Sequence, residues 1–286
     1  MNTVAATIDA WLEHRQALAD RGALAASTLR NQRQIARTIT AALGERPITK
    51  LRKSHVDLFV ADRRRTCADV TVHEEVSVLR QILTWAVDEQ IIAERPRLPT
   101  VGVPNVERAL PSDADFVWFL RTMSPKHSDA LTFMLLTGLA PHELERLRAR
   151  DFDALTRELL IGFRPDFRVK TASRRRRVPL NAAATTIWVR STIGLDETVA
   201  PFPSTGALQK AMRRHFLERA DAPPAAAGLT PKMMRKWFAS KVAKDYSEAV
   251  LQRLLGHAPG SPITRRHYVR SQASDLTDAV QGVSIQ

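Results

Sequence analysis

Apolar residues recur every three to four positions through the first hundred residues of the chain. Val4, Ile8 and Leu12 mark one helical stripe, and after Ser27 the positions Leu29, Ile35, Ile39 and Leu43 mark a second, closed by Gly44. The pairs Ser54/Asp57 and Thr71/Glu74 have the S/T-x-x-D/E spacing of a capping box, in which the two side chains satisfy free N–H groups at a helix start. The second pair predicts a helix carrying Val72, Val76, Leu79, Leu83 and Ala86. No period-2 alternation interrupts these stretches, so four helices are expected. The run Arg95-Pro96-Arg97-Leu98-Pro99 stops the last of them, because proline lacks an N–H and disfavours helix in the residue before it.

Beyond the prolines the pattern changes. Ser112 with Asp115 caps a further helix, and Asp129 to Thr137 is almost wholly apolar before Gly138. Between Leu155 and Leu180 three short runs, LTRELLIG, FRVK and RRRRVPL, alternate with turn-like polar residues and predict a small antiparallel sheet. Asn181, Ser204, Thr230 and Ser247 are helix starts, with Pro231 at a first helical position where its missing N–H costs little. The expected fold is mainly α in two domains. Residues 1–100 form a four-helix domain, 101–110 a linker, and 111–286 a mostly helical α+β domain with a small antiparallel sheet.

Composition agrees with two domains, since 286 residues at 44% hydrophobic suits two cores of ordinary size. The formal charge of +13 points to a polyanionic partner. Met1 to Asn105 holds 15 Lys and Arg against 12 Asp and Glu, leaving 28 against 18 for the remainder, so the second domain carries most of the field. Cys67 is the only cysteine, which excludes an intramolecular disulfide or a cysteine-built metal cluster and suits a reducing compartment. No signal-like or membrane-spanning stretch is evident. A soluble, cytoplasmic, nucleoid-associated protein without metal or cofactor is expected.

The chemistry concentrates near the C-terminus, in LLGHAPGSPITRRHY, Leu254 to Tyr268. Tyr268 is one of only two tyrosines, the other being Tyr246, and Arg265, Arg266, His267 and Arg270 surround it. A phenol has a pKa near 10, so a tyrosine nucleophile needs cationic neighbours or a base. The segment resembles the C-terminal signature of the tyrosine recombinase (phage integrase) family, in which this tyrosine attacks DNA and this histidine, His257, supports catalysis. LTPKMMRKWFAS, Leu229 to Ser240, resembles the family's second box, TPHxLRHTFA, with Arg235 at its arginine, Lys232 where the family has His or in some members Lys, and Lys236 at a second, less constant His. FRVKTASRRRRVPL resembles the hairpin that carries the catalytic lysine, which falls on Lys170. Arg174, Arg175, Arg176 and Arg177 then alternate faces along a strand, some toward DNA and some toward solvent; Arg265 and Arg266 are further DNA contacts.

The resemblance covers nearly the whole chain. It implies a SAM-like helical core-binding domain and a catalytic domain that clamp duplex DNA between them. It also implies a 3′-phosphotyrosyl intermediate, a synaptic tetramer of protomers on two DNA sites, and an accessory or directionality protein as a possible further partner.

One departure matters. LLTGLAPHELERLRARDFD, Leu135 to Asp153, resembles the first box, usually TGLRxxELLxLxWxDID, but the catalytic arginine's position is Ala140. Read as one continuous helix, the segment puts Arg146 and Arg148 out of register by roughly 9 and 12 Å. Losing one such donor costs about 10²- to 10³-fold in rate, so DNA binding with impaired cleavage is expected. Either Ala140 was introduced to trap DNA, which the otherwise intact box favours, or it is native to an unusual member. The alternative to a recombinase is a catalytically inactive DNA-binding or accessory protein on the same scaffold.

Overall fold

Residues 2–103, 110–169 and 171–261 are described by the computed structural model, in which the chain separates into two units, Met1–Glu107 and Arg108–Gln286. The first unit contains helices α1 (Val4–Asp20), α2 (Ala26–Leu43), α3 (Lys53–Arg64) and α4 (Asp69–Asp88). Their apolar stripes meet in one core that includes Val4, Ile8, Trp11, Ile39, Leu79, Ile82 and Leu83, each no more than 2% exposed. Burial of each such side chain stabilises the unit by about 1.5–3 kcal/mol. Trp11 rather than Leu12 completes the α1 stripe, because a step of three after Ile8 keeps to the buried face where a step of four drifts off it.

Two helix starts differ from the expected ones. Arg52 and Ala68 are the residues in extended conformation ahead of α3 and α4, so Ser54 and Thr71 already lie inside the first turn. The capping spacing marks a start only where its first residue leaves the helical backbone. At α3 the ring of His55 takes over part of that role, its Nδ1 accepting the Arg52 N–H at 3.2 Å.

In the second unit Ser112 caps α5 (Asp113–Thr122) as expected: Oγ accepts the Asp115 N–H at 3.2 Å while Asp115 Oδ2 accepts the Ser112 N–H at 2.8 Å. Helices α6 (Pro125–Thr137) and α7 (Pro141–Leu144) lead into a three-stranded antiparallel sheet of β1 (Phe152–Asp153), β2 (Glu158–Ile161) and β3 (Arg176–Pro179), in that order. Of the segment FRVK, the described residues 167–169 are not one of its strands. Phe167 is buried, and Val169 packs so tightly on Gly162 (φ +78°) that a Cβ there would lie 2.6 Å from Val169 Cγ1, which makes this stretch a close-packed loop. Helices α8 (Ala182–Thr192), α9 (Thr205–Leu217), α10 (Pro231–Asp245) and α11 (Glu248–Leu255) follow. The side chains of Asn181, Ser204 and Ser247 each accept the N–H three residues on, closing the starts of α8, α9 and α11.

Leu131, Phe133, Met134, Leu159, Ile161, Val178 and Met234 anchor the core shared by α6, α10 and the sheet. Among the described residues no helix is long and apolar enough to cross a membrane.

Candidate active site

Helix α6 ends on Gly138 in the left-handed region, φ +65°, where a Cβ would fall 2.3 Å from Cδ1 of Phe238 on α10. Only glycine satisfies both the turn and the approach. The turn delivers the Gly138 carbonyl to Arg235 of α10, whose Nη1 donates to it at 2.9 Å. Two residues on, Ala140 opens the single turn of α7, and Glu143 reaches back so that its Oε2 accepts the Ala140 N–H at 2.8 Å.

Glu143 has no exposed surface. Arg176 donates to it twice, Nη1 to Oε1 at 2.9 Å and Nη2 to Oε2 at 3.0 Å. Nη1 of Arg235 lies 3.4 Å from Oε2, and Nη1 of Arg174 lies 3.8 Å from Oε1. Burial alone would push the carboxyl up. The paired Arg176 bonds, the charge of Arg235 and the Ala140 N–H overcome it and hold the group down at about 2.

The same guanidiniums close the far end of α11. Its last carbonyls have no partner within the helix. Leu254 O accepts from Arg176 Nε at 2.7 Å and Leu255 O from Arg235 Nη2 at 2.5 Å. Gly256 then turns left-handed, φ +66°, with Arg174 Cα and Arg176 Nη1 each 3.0 Å from where a Cβ would stand. His257 follows directly, its N–H donating to Gln252 O at 2.9 Å and its Nε2 3.4 Å from Arg235 Nη2. Burial first, then the charges of Arg235, Arg174 and Arg176, push the imidazole down to about 4 against a smaller opposing pull from Glu143. It is therefore neutral near pH 7 and able to accept a proton.

Arg235, His257, Arg174 and the backbone of Ala140 thus converge on Glu143 from stretches far apart in the chain. Lys232 and Lys236 sit on α10 beside Arg235; Lys232 is exposed, Lys236 is half-buried, and burial lowers its ammonium pKa. Arg175 and Arg177 are exposed, Arg175 donating to Gly162 O at 3.1 Å and Arg177 to Glu158 at 3.1 Å. Arg176 corrects the expectation of a DNA contact: β3 turns it inward, and its side chain is 4% exposed and committed to Glu143 and Leu254. Arg174 precedes the strand, ending a short 3-10 turn, Ala172–Arg174. Lys170, Tyr268, Arg265 and Arg266 lie outside the described residues.

The continuous helix assumed after Ala140 stops at Leu144. Arg146 donates to Arg168 O at 2.6 Å and Arg148 to Leu147 O at 2.8 Å, so both guanidiniums are tied into the loops of the sheet. Three features were not anticipated: Glu143 as the shared anion, the inward role of Arg176, and His142, whose Nε2 lies 3.4 Å from Arg174 Nη1. Burial lowers the His142 pKa, with Arg174, Arg146 and Arg235 adding to it against Glu143. Glu143 was legible as an acid three residues after a helix start, the spacing at which a glutamate reaches back to the first N–H. Among the described residues no group of three or more His, Cys, Asp or Glu side chains is placed to hold a metal ion.

Residues 118–275 match the model of the phage integrase family. Among solved structures, the chain is similar to the Tn1549 transposon integrase in complex with circular intermediate DNA, with a TM-score of 0.73, 18% identity, and coverage of 98% of this chain and 99% of that one. It is also similar to lambda integrase in a tetramer bound to a Holliday junction, with a TM-score of 0.74, 16% identity, and coverage of 95% and 79%. A third similarity is to lambda integrase residues 75–356 bound to DNA, with a TM-score of 0.68, 17% identity, and coverage of 99% and 100%. No curated protein matches the chain.

Proposed function

The chain belongs to the phage integrase family, and we propose that it cuts and rejoins duplex DNA at a specific site through a covalent bond between Tyr268 and a 3′-phosphate. The observation that supports this most is the meeting of Arg235, Arg174 and His257 around Glu143, from segments with no sequence adjacency. In the proposed step the Tyr268 oxygen attacks phosphorus, the bond to the 5′-oxygen breaks, and the tyrosyl ester keeps the bond energy for religation. His257 takes the phenolic proton. Arg235, whose charge persists at any working pH, stabilises the developing charge on the non-bridging oxygens, and Lys232 and Lys236 hold the backbone nearby. Lys170 protonates the departing oxygen.

Residues 1–100 serve in this reading as a DNA-clamping domain. Protomers assemble as a synaptic tetramer on two sites, by analogy with the lambda integrase tetramer bound to a Holliday junction. The element served is a phage or other mobile DNA.

The test is covalent capture on a suicide DNA substrate that loses its 5′-hydroxyl strand. Tyr268→Phe should abolish the adduct, and adduct surviving in that variant would remove Tyr268 from the mechanism. Ala140→Arg should raise its rate, by up to about 10²- to 10³-fold where no other cation already fills that place. The second reading, a DNA-binding protein without cleavage, is favoured by the alanine itself. It predicts site-specific binding and no adduct even with arginine at 140.

A further inference from the structure

We infer that Arg174 supplies the phosphate-binding guanidinium that position 140 lacks. The inference rests on the Tyr268 reading above and adds to it a substitute for the missing charge. Glu143 provides the geometric link. Its Oε2 accepts the Ala140 N–H at 2.8 Å and its Oε1 faces Arg174 Nη1 at 3.8 Å, so the Arg174 guanidinium and the backbone of residue 140 meet the two oxygens of one carboxylate.

The three arginines around that carboxylate are not equivalent. The side chains of Arg176 and Arg235 are 4% and 6% exposed, and both donate to the terminal carbonyls of α11 as well as to Glu143. Arg174 keeps 23% of its side chain exposed, and among the described residues its close polar contacts are the long ones, 3.8 Å to Glu143 and 3.4 Å to His142. Its donors can therefore turn to a phosphate without leaving a buried acceptor unpaired.

Its stem is nonetheless fixed. The Cα of residue 174 lies 3.0 Å from where a Gly256 side chain would begin, and its N–H donates to Thr171 O at 3.0 Å, so the backbone is held against the turn that carries His257. The Arg174 charge already acts on His257, since it is among the causes that depress that imidazole. A guanidinium offers two parallel donors to phosphate oxygens, which a lysine cannot match. An arginine placed at 140 would bring a fourth guanidinium to the same carboxylate, and it and Arg174 would serve one role.

That redundancy defines the test. Single-turnover adduct formation on the suicide substrate is measured, together with DNA affinity at one fixed salt concentration, for the parent, Arg174→Ala, Ala140→Arg and the double variant, with Tyr268→Phe as the zero. Arg174→Ala is expected to slow adduct formation by about 10²-fold in the parent, the cost of one donor to a transferring phosphate, and by less than about tenfold in the Ala140→Arg background. DNA affinity should fall by the same small factor in both. Arg174→Lys, which keeps the charge without the fork, should retain folding and binding and recover only part of the rate. Equal slowing in both backgrounds overturns the inference, because a plain DNA contact or a prop for the fold would act without regard to residue 140. Adduct in Ala140→Arg with none in the parent likewise overturns it and leaves Tyr268 in place. Absence of adduct in every variant removes the recombinase reading as well.

Discussion

Replacing Glu143 by glutamine is expected to destabilise the second unit by about 3–5 kcal/mol, the cost of removing one partner from a buried ion pair. The carboxylate has no exposure and is the counter-ion of Arg176 at 2.9 and 3.0 Å and of Arg235 at 3.4 Å, both buried. Glutamine keeps an acceptor for the Ala140 N–H but turns an amide donor toward a guanidinium, so at least one cation is left unpaired. A second route to the magnitude agrees. A carboxyl held at about 2 instead of its ordinary 4.5 corresponds to about 3 kcal/mol of pH-linked stabilisation. Because the folded value is the depressed one, that stabilisation is complete above about 4.5 and is lost as pH falls toward 2. The assay is thermal unfolding followed through Trp118, Trp188 and Trp237, at pH 7 and again at pH 3. At about 2–4 °C per kcal/mol for a unit of this size, the variant should melt at least about 6 °C below the parent at pH 7, with a smaller gap at pH 3. A variant within about 1 kcal/mol of the parent at pH 7, or a gap that widens in acid, would refute the assignment of Glu143 as the shared anion.

Two further outcomes are expected. Gly256→Ala puts a side chain into a left-handed turn at φ +66°, against Arg174 Cα and Arg176 Nη1, so it should cost about 1–3 kcal/mol and lower the adduct rate together with stability; a neutral result would mean the turn is not what positions the arginines. His257, held down to about 4, should leave the adduct rate at subsaturating DNA flat from pH 7 to pH 5 and falling only near pH 4, and an acid limb centred near 6.5 would refute the depression of the imidazole by its buried, cationic surroundings.

The helices were legible because their apolar stripes repeat at a helical spacing, and the starts at Ser112, Asn181, Ser204 and Ser247 because a short polar side chain there accepts the N–H three residues on. At α3 and α4 the same spacing misled by two and three residues, since Arg52 and Ala68 take the extended conformation that precedes a helix. Strand β1 spans only Phe152 and Asp153, too short to show any period. Within the site, Arg235 and His257 were readable because the segments that hold them resemble the family's second box and its C-terminal signature. Arg176 was not. Alternation along RRRRVPL shows that two arginines share a face, but the pairing of Ile161 with Arg176 decides which face is inward, and only a partner 33 residues upstream makes a buried guanidinium tolerable.

That partner raises a difficulty with a physical answer. A carboxylate at the centre of a site proposed to grip a phosphate repels the ligand, yet three guanidiniums gathered without it would repel one another and two of them would be buried uncompensated. With Glu143 ionised and His257 neutral at pH 7, the cluster of Glu143, Arg174, Arg176 and Arg235 carries two net positive charges. Arg176 spends its fork on the acid, leaving Arg235 beside His257 and Arg174 partly exposed. A phosphodiester carries one negative charge, and in the proposed attack by Tyr268 a second develops. Two positive charges held before DNA arrives match that second state better than the first, so the acid does not weaken the site but trims its charge toward the transition state.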